Sequence, residues 1–372
     1  MRILHLDPDD IDNPVSGGGP IRTLQLYRRM AKHHEVTVLT PTFAGSTAEL
    51  VRDGIRYLRL GRKIGDHGSS HHITYLFKLP GAVRRIDHDL LVEDFMPPCG
   101  ATHVPLLRRR DVPHIASVQW FSARDYTRKL KLPFHWGQQA GLKLYRNFVV
   151  LTPSMRETIL HWNPQARAEV IPNGVDDDLF EVPIEVGDGI LFLGRVEVGT
   201  KGIDLLLEAY ARIPLGQRPR LTIAGTLQEP ELLHACLQRW DLEGQVQVYG
   251  RYSSQQRREL LRTHRCLAMP SRIETFGMTV AEANAAGTPA VVWDQAPMNE
   301  VSSTACWRIK PYDIEAYSLA LMQACTAPDH EILDRGAVAR EQARRFNWDT
   351  VAASQMAVYE DVRDRWLFAR TR

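Results

Sequence analysis

The chain has 372 residues, of which 44% are hydrophobic and 24% charged, and its formal net charge is only +2. That length exceeds the size at which a single hydrophobic core keeps growing, so two domains of ordinary size are expected. The near-balanced charge excludes a strongly nucleic-acid-like partner surface.

Charge is nevertheless unevenly spread. Residues 52–146 hold 17 Lys and Arg against 8 Asp and Glu, which reads either as a solvated basic face or as a surface that attracts anions or a membrane. The five cysteines (Cys99, Cys236, Cys266, Cys306, Cys325) are scattered and contain no C-x-x-C pair, so neither a disulfide framework nor a zinc knuckle is suggested and a reducing cytosol fits. No charged region followed by an apolar run and a cleavage site opens the chain, and no apolar stretch approaches ~18 residues. Any membrane contact is therefore expected to be peripheral.

Arg2 to Leu6 and Glu35 to Thr40 read as short strands flanking a helix from Pro20 to Ala31, with apolar residues at Ile21, Leu24 and Met30. Pro20 suits a first helical position, where its missing N–H costs nothing. The loop before it ends in Gly17-Gly18-Gly19, a run that lets backbone approach a ligand and points N–H groups at an anion. A dinucleotide fingerprint is excluded: glycine would be needed where Arg22 stands, the loop after Leu6 is too long, and the second strand runs into Thr40-Pro41 without an acid.

Further strands are expected at Ile55 to Arg59, Leu90 to Val92, His114 to Val118, Val149 to Thr152 and Glu169 to Ile171, interleaved with helical or irregular segments, which implies a parallel sheet covered on both faces. The run Asp66 to His72 has the histidines of a metal site without a flanking ligand spacing and reads as a polar loop. Arg128 to Trp136 mixes cations with apolar and aromatic residues, as a membrane-touching segment or a half-buried helix edge would. The turn after Val170, V-I-P-N-G-V-D, and the polar, broken stretch behind it mark the best domain boundary. We place it at 180/181, with the C-terminal helix 348–372 returning to the first domain.

In the second half, strands at Ile190 to Leu193, Leu221 to Ala224, Val246 to Tyr249, Cys266 to Met269 and Ala290 to Trp293 alternate with helices near 202–212, 229–240, 253–263 and 278–286. Such a doubly wound sheet binds ligands at the carboxyl ends of its strands. After the first of these strands, Gly194 to Gly202 places Arg195 and Lys201, a planar fork of donors and a compact point charge suited to a diphosphate. After the fourth, Ser271 to Trp293 carries Glu274 in a loop, a helix start near Phe276 and Gly277, and Glu282 inside that helix. Eight helical residues rise ~12 Å, beyond the roughly 5 to 9.5 Å of a glycosidase pair. The two carboxylates therefore suit two parts of one long ligand, with a helix N-terminus between them for a phosphate. Each feature alone is also compatible with ordinary surface charges. Together, cations for phosphates and carboxylates for hydroxyl groups describe a nucleotide-sugar site.

The ordered motifs S-G-G-G-P (Ser16 to Pro20), V-I-P-N-G-V-D (Val170 to Asp176), G-R-x5-K-G (Gly194 to Gly202) and E-T-F-G-M-T-V-A-E-A-N-A-A-G-T-P (Glu274 to Pro289), with F-N-W at Phe346 to Trp348, span nearly the whole chain. In them the sequence resembles the retaining GT-B glycosyltransferases of family four, the glycosyl transferases group 1. The resemblance implies an α/β GT-B fold of two Rossmann-like domains facing a cleft, a final helix crossing back onto the first domain, and a metal-independent hexosyl transfer with retained anomeric configuration. It implies no cofactor beyond the nucleotide-sugar donor, with UDP-sugar favoured and GDP-sugar as the alternative.

Carried over residue by residue, Arg195 and Lys201 hold the donor diphosphate and Glu274 contacts the donor sugar. Glu282 accepts from the ribose hydroxyls, beside Gly277, Met278 and Thr279 of the helix start, and Gly18 and Gly19 close over the diphosphate or acceptor from the other domain. One departure stands out. Where many members carry a histidine, this chain has Gln119 and Trp120, and glutamine hydrogen-bonds without titrating. Gln119, Trp120, Glu93 and Arg124 are the acceptor-side candidates, and the basic first half points to an anionic or lipid-linked acceptor. The competing expectation, of another class, is a noncatalytic nucleotide-sugar-binding subunit that keeps the same fold.

Overall fold

The structure is a computed structural model, and it describes residues 1–14, 18–62, 70–95, 112–121, 127, 131 and 134–371. Arg124, the Gly17 end of the glycine run and most of the stretches 66–72 and 128–136 lie outside the described residues. The chain forms two compact units, Met1–Asn173 with Trp348–Arg372, and Gly174–Asn347. The division falls inside the Pro172-Asn173-Gly174 turn rather than at 180/181, so the whole Val175 to Phe180 stretch belongs to the second unit.

The first unit is built on an eight-stranded sheet: β1 (Arg2–Leu6), β2 (Glu35–Pro41), β3 (Glu49–Arg52), β4 (Ile55–Leu60), β5 (Leu90–Asp94), β6 (His114–Val118), β7 (Asn147–Val150) and β8 (Arg167–Val170). The order is β3-β4-β2-β1-β5-β6-β7-β8. Every pairing is parallel except β3 against β4. The hairpin strand β3 was not expected from sequence, because its E-L-V-R run lies at an exposed edge where one face is never buried and no alternation survives.

Helix α1 (Gly19–Met30) carries Pro20 in its first turn, and α13 (Trp348–Arg370) packs on it. Leu26, Tyr27 and Met30 of α1, with Trp348, Val351, Tyr359 and Val362 of α13, close the core over Ile3, Val36, Val38, Leu90 and Val92. Arg22 ties the two helices to the end of β8: it donates to the carbonyls of Ile171 and Pro172 and to the side chains of Asn173 and Gln355. Helices α2 (Ser70–Arg85), α3 (Phe134–Leu144) and α4 (Pro153–Trp162) complete the described part of this unit. Thr152, expected as the end of a strand, is instead the N-cap of α4 and accepts from the Met155 N–H.

The second unit has a six-stranded, all-parallel sheet of β9 (Ile190–Leu193), β10 (Leu221–Ala224), β11 (Val246–Gly250), β12 (Cys266–Met269), β13 (Ala290–Trp293) and β14 (Trp307–Ile309). The order β11-β10-β9-β12-β13-β14 is doubly wound, reversing direction between β9 and β12. The inner strands I-L-F-L, L-T-I-A, C-L-A-M and A-V-V-W are buried along their whole length, as a sheet covered on both faces requires. Around it run α5 (Val198–Lys201), α6 (Ile203–Ala211), α7 (Pro230–Arg239), α8 (Ser254–Thr263), α9 (Met278–Ala286), α10 (Met298–Val301), α11 (Ile314–Thr326) and α12 (Asp329–Ala343). No helix among the described residues is long and apolar enough to cross a membrane.

Candidate functional site

The residues that sequence reading singled out in the second unit lie where β9 and β12 deliver their carboxyl ends. Arg195 follows β9 in an exposed loop, its side chain 63% accessible and its Nη1 3.3 Å from Glu197 Oε1. Lys201 was expected in a loop running into a helix that opens at Gly202. It instead ends the single turn α5, and Gly202 is the left-handed joint (φ 68°) between α5 and α6.

That joint explains the site's geometry. A Cβ on Gly202 would sit 2.0 Å from the Pro270 carbonyl oxygen, so only glycine lets α5 lie against the loop that leaves β12. The loop is then laced to α5. The Arg272 N–H donates to the Thr200 carbonyl at 3.0 Å, Arg272 Nη1 to the Gly199 carbonyl at 2.8 Å, and the Arg272 fork grips Asp204 with two bonds of 2.7 Å. Trp293 Nε1, fully buried at the end of β13, donates to the Pro270 carbonyl at 2.9 Å.

The consequence is a direct pairing of two candidate residues. Lys201 Nζ donates to Glu274 Oε1 at 2.7 Å, and Ser271 Oγ donates to the same oxygen at 2.9 Å. With side chains only 15% and 12% exposed, this ion pair is shielded enough to be geometrically fixed, unlike a solvent-screened surface pair.

Helix α9 opens just beyond. Gly277, at φ 94°, is its N-cap; no side chain caps the helix and no acidic residue lies in its first turn. Its first N–H groups, those of Met278 and Thr279, thus have no capping side chain and no first-turn carboxylate competing for them. Phe276, packed edge-on against Phe346, anchors the entry from below. Met278 and Thr279 form the first turn, and a Cβ on Gly194 would come within 3.7 Å of Thr279 Oγ1, so the loop that carries Arg195 passes beside this helix start.

Glu282, one turn further along α9, belongs to a different network. Its Oε1 accepts from Arg257 Nη1 at 2.7 Å, and Arg257 Nη2 donates to Asp176 Oδ2 at 2.8 Å. Burial raises the Glu282 carboxyl to about 7, against the pull of the Arg257 charge and with a further push from Asp176. Glu274 and Glu282 therefore engage separate partners.

In the first unit, Gly18 is the N-cap of α1 in ordinary right-handed geometry with open space where a Cβ would be, and Gly19 faces the Gln119 side chain. Neither glycine is forced by its own backbone. Gln119 Nε2 donates to Asp94 Oδ2 at 2.9 Å. Since a carboxylate only accepts, the amide orientation is fixed and its carbonyl oxygen is turned away from Asp94. Asp94 also lies 3.4 Å from His5 Nε2, whose other nitrogen meets the Tyr27 hydroxyl at 2.7 Å.

His5, Asp7 and Asp94 are close enough to hold a cation among the described residues. Asp7 already accepts from Thr23 Oγ1 and from the Asp9 N–H, whereas His5 Nε2 and Asp94 Oδ1 are buried without a hydrogen-bond partner among the described residues. Burial, then the Asp94 charge, pushes the Asp7 carboxyl well above the usual range. Glu93 is buried in β5, whereas Trp120 is 38% exposed.

Two adjoining family models match the chain: Glycosyltransferase Family 4 over residues 16–179 and Glycosyl transferases group 1 over residues 181–344. The chain belongs to the family-four glycosyltransferases. It is 25% identical to an MMP alpha-(1->4)-mannosyltransferase of Mycolicibacterium hassiacum over 71% of this chain and 65% of that protein. It is 30% identical to a phosphatidyl-myo-inositol mannosyltransferase of Mycolicibacterium smegmatis over 60% of each. The chain thus spans less than two-thirds of the length of these first relatives. Among solved structures it is similar to sucrose-phosphate synthase from Thermosynechococcus elongatus (TM-score 0.77, 18% identity, all of both chains) and to Anabaena Alr3699/HepE in complex with UDP and glucose (TM-score 0.71, 17% identity, 97% of this chain and 100% of that one). These likenesses establish the GT-B fold.

In this family-four chain, sequence reading missed Arg257, Asp176 and Ser271. Asp176 stood inside a quoted motif without a role, and Ser271 sits three residues before Glu274. Arg257 carried no local signal, because R257-R258-E259 on a polar helix reads as an ordinary solvated face.

Proposed function

We propose that the chain is a retaining, metal-independent hexosyltransferase that moves a sugar from a nucleoside diphosphate sugar, UDP-sugar first and GDP-sugar second, to a hydroxyl acceptor. The observation that carries the reading is the shielded Lys201–Glu274 pair standing beside the uncapped N-terminus of α9. Breaking a sugar–phosphate bond builds negative charge on the departing diphosphate. Arg195, Lys201 and the N–H groups of Met278 and Thr279 stabilise that charge more in the transition state than in the ground state. Glu274, held by Lys201 and Ser271, accepts from hydroxyls of the donor sugar, and Glu282 accepts from the ribose.

Cations and helix N–H groups already supply the electrophilic assistance that a divalent ion would otherwise give, so the reaction needs no metal and no cofactor beyond the donor. Retention follows if the leaving phosphate oxygen takes the acceptor proton on the same face. Gln119, Trp120, Glu93 and, outside the described residues, Arg124 remain the acceptor-side candidates. The excess of cations over residues 52–146 favours an anionic or lipid-linked acceptor met at the cytoplasmic face of a membrane by peripheral contact.

The test is release of nucleoside diphosphate and free or transferred sugar from UDP- and GDP-hexoses, with and without a chelator. Turnover unaffected by chelator supports the reading. Turnover that collapses with chelator and returns with Mg²⁺ contradicts metal independence, and no turnover with any nucleoside diphosphate hexose contradicts the reading as a whole.

A further inference from the structure

We propose that Arg257 is the positioning residue of the nucleotide end of the site: it clamps Glu282 by one carboxylate oxygen and thereby makes the other the acceptor that distinguishes a ribonucleotide from its deoxy counterpart. The inference rests on the donor reading above and goes beyond it by naming the residue that imposes ribose recognition.

Three features of the molecule support it. The first is the fixed origin of the arginine. Helix α8 opens with a capping box, in which Ser253 Oγ accepts from the Gln256 N–H at 3.2 Å and the Gln256 side chain accepts from the Ser253 N–H at 2.9 Å. Arg257 is the next residue, its own N–H bonded to the Ser253 carbonyl at 2.8 Å. The side chain thus starts from an anchored turn just past the carboxyl end of β11, on the ligand edge of the sheet.

The second is the division of its fork. Nη1 goes to Glu282 and Nη2 to Asp176, both short, while Nε is buried without a partner among the described residues. With Arg257 12% and Glu282 14% exposed, rotation of the carboxylate would break a shielded charge-assisted bond. Glu282 Oε2 is therefore presented in one direction.

The third is the sign of the charge. Arg257 is faced by Glu282, by Asp176 and, at 4.0 Å, by Asp178. Arg258 Nη1 also lies 3.9 Å from Asp178, so two cations stand among three carboxylates; acceptors remain in excess, and the cluster favours hydrogen-bond donors over phosphate. Hydroxyl groups are the donors that a nucleoside diphosphate offers. Tyr252, whose hydroxyl is pushed up to about 12 by burial and by the Glu282 charge, stays neutral beside them.

A lysine at 257 could reach one carboxylate but not span two, because an ammonium lacks the planar fork. The experiment is calorimetric titration of the full chain with UDP and GDP and with their 2′-deoxy and 3′-deoxy forms, for the wild type and for Arg257→Met, Arg257→Lys, Glu282→Gln and Asp176→Asn. A hydrogen bond to a charged acceptor contributes about 1.5 to 3 kcal/mol, so the wild type should prefer the ribonucleotide over at least one deoxy form by roughly 10- to 100-fold.

Arg257→Met should bring that ratio to within about threefold of unity, as Glu282→Gln does, while the affinity for the deoxy form moves by less than about threefold. Arg257→Lys should restore part of the ratio, and it carries the test if Arg257→Met does not fold. Asp176→Asn removes the second anchor only and should keep most of it.

The inference is overturned if Arg257→Met retains the wild-type ratio, if it loses ribo and deoxy forms equally, or if the wild type binds the nucleotide without discriminating ribose. If the wild type binds no nucleoside diphosphate at all, the donor reading itself has failed.

Discussion

Replacing Lys201 with methionine removes the charge and keeps most of the stem, and its effect depends on whether Lys201 acts alone or as a unit with Glu274. The pair is 2.7 Å apart with side chains 15% and 12% exposed. Two unit charges at about 4 Å interact by about 4 kcal/mol at the effective dielectric of a protein surface. Residual solvent and the competing bond from Ser271 Oγ at 2.9 Å reduce this to about 2 kcal/mol of coupling, roughly 30-fold in rate. Lys201→Met alone should lower kcat by about 10²- to 10³-fold, the usual cost of deleting a transition-state charge stabiliser. Glu274→Gln should also lower it, and the double variant should be about 30-fold more active than the product of the two losses predicts. The assay is initial-rate release of nucleoside diphosphate at saturating donor, with melting curves to confirm folding. Losses that multiply within threefold would show two independent residues and refute a site organised by this contact.

Arg195→Ala should separate function from stability: its side chain is 63% exposed with a single partner among the described residues, at 3.3 Å, so turnover should fall by about 10²-fold while the melting temperature stays unchanged within about a degree. Gly202→Ala should do the reverse first, destabilising the second unit by about 3 kcal/mol or more because a Cβ would lie 2.0 Å from the Pro270 carbonyl at a φ of 68°, which chemical denaturation measures. The carboxyl of Glu282, at about 7, lies above the ordinary glutamate value of 4.5, mainly through burial. Its contribution to stability should therefore decline as pH rises from about 4.5 to about 7 and be fully unfavourable above that, by at most about 3 kcal/mol. Glu282→Gln should flatten that segment of the stability–pH curve, and nucleotide affinity in the unmodified chain should rise as Glu282 ionises through the same interval.

The fold was legible where burial leaves a pattern. The solid apolar runs of β9, β10, β12 and β13 could be read directly, because both faces of those strands are covered. The edge strands β3 and β14 were not, since one is E-L-V-R at the surface and the other only W-R-I. The helices α11 and α12 were missed for a related reason: Ala-rich faces such as those of Ala320, Ala324, Ala339 and Ala343 pack closely without a strong apolar signature. Of the site, the charged residues inside motifs were legible and the contacts between them were not. Nothing local in Lys201 or Glu274 states that they touch; that follows from Gly202 meeting Pro270, a relation between residues far apart in sequence.

Those contacts also give the second unit's ligand edge a direction. At one end, Glu274 offsets part of the Lys201 charge, and the exposed Arg195 and the uncapped N–H groups of α9 add to the positive potential there. At the other, Arg257 and Arg258 are outnumbered by Glu282, Asp176 and Asp178, leaving an excess of acceptors. A nucleoside diphosphate sugar has the complementary polarity, anionic at its diphosphate and rich in hydroxyl donors at the ribose, with α9 linking the two ends. A motif inventory that counts Arg195, Lys201 and Arg257 as three equivalent cations loses this distinction, because what a cation can bind depends on the carboxylates already facing it. The same reasoning limits which substitutions can be neutral: exchanging a lysine for an arginine at 201, where one oxygen of Glu274 receives two donors, changes the number of donors without changing the charge, and so tests geometry alone.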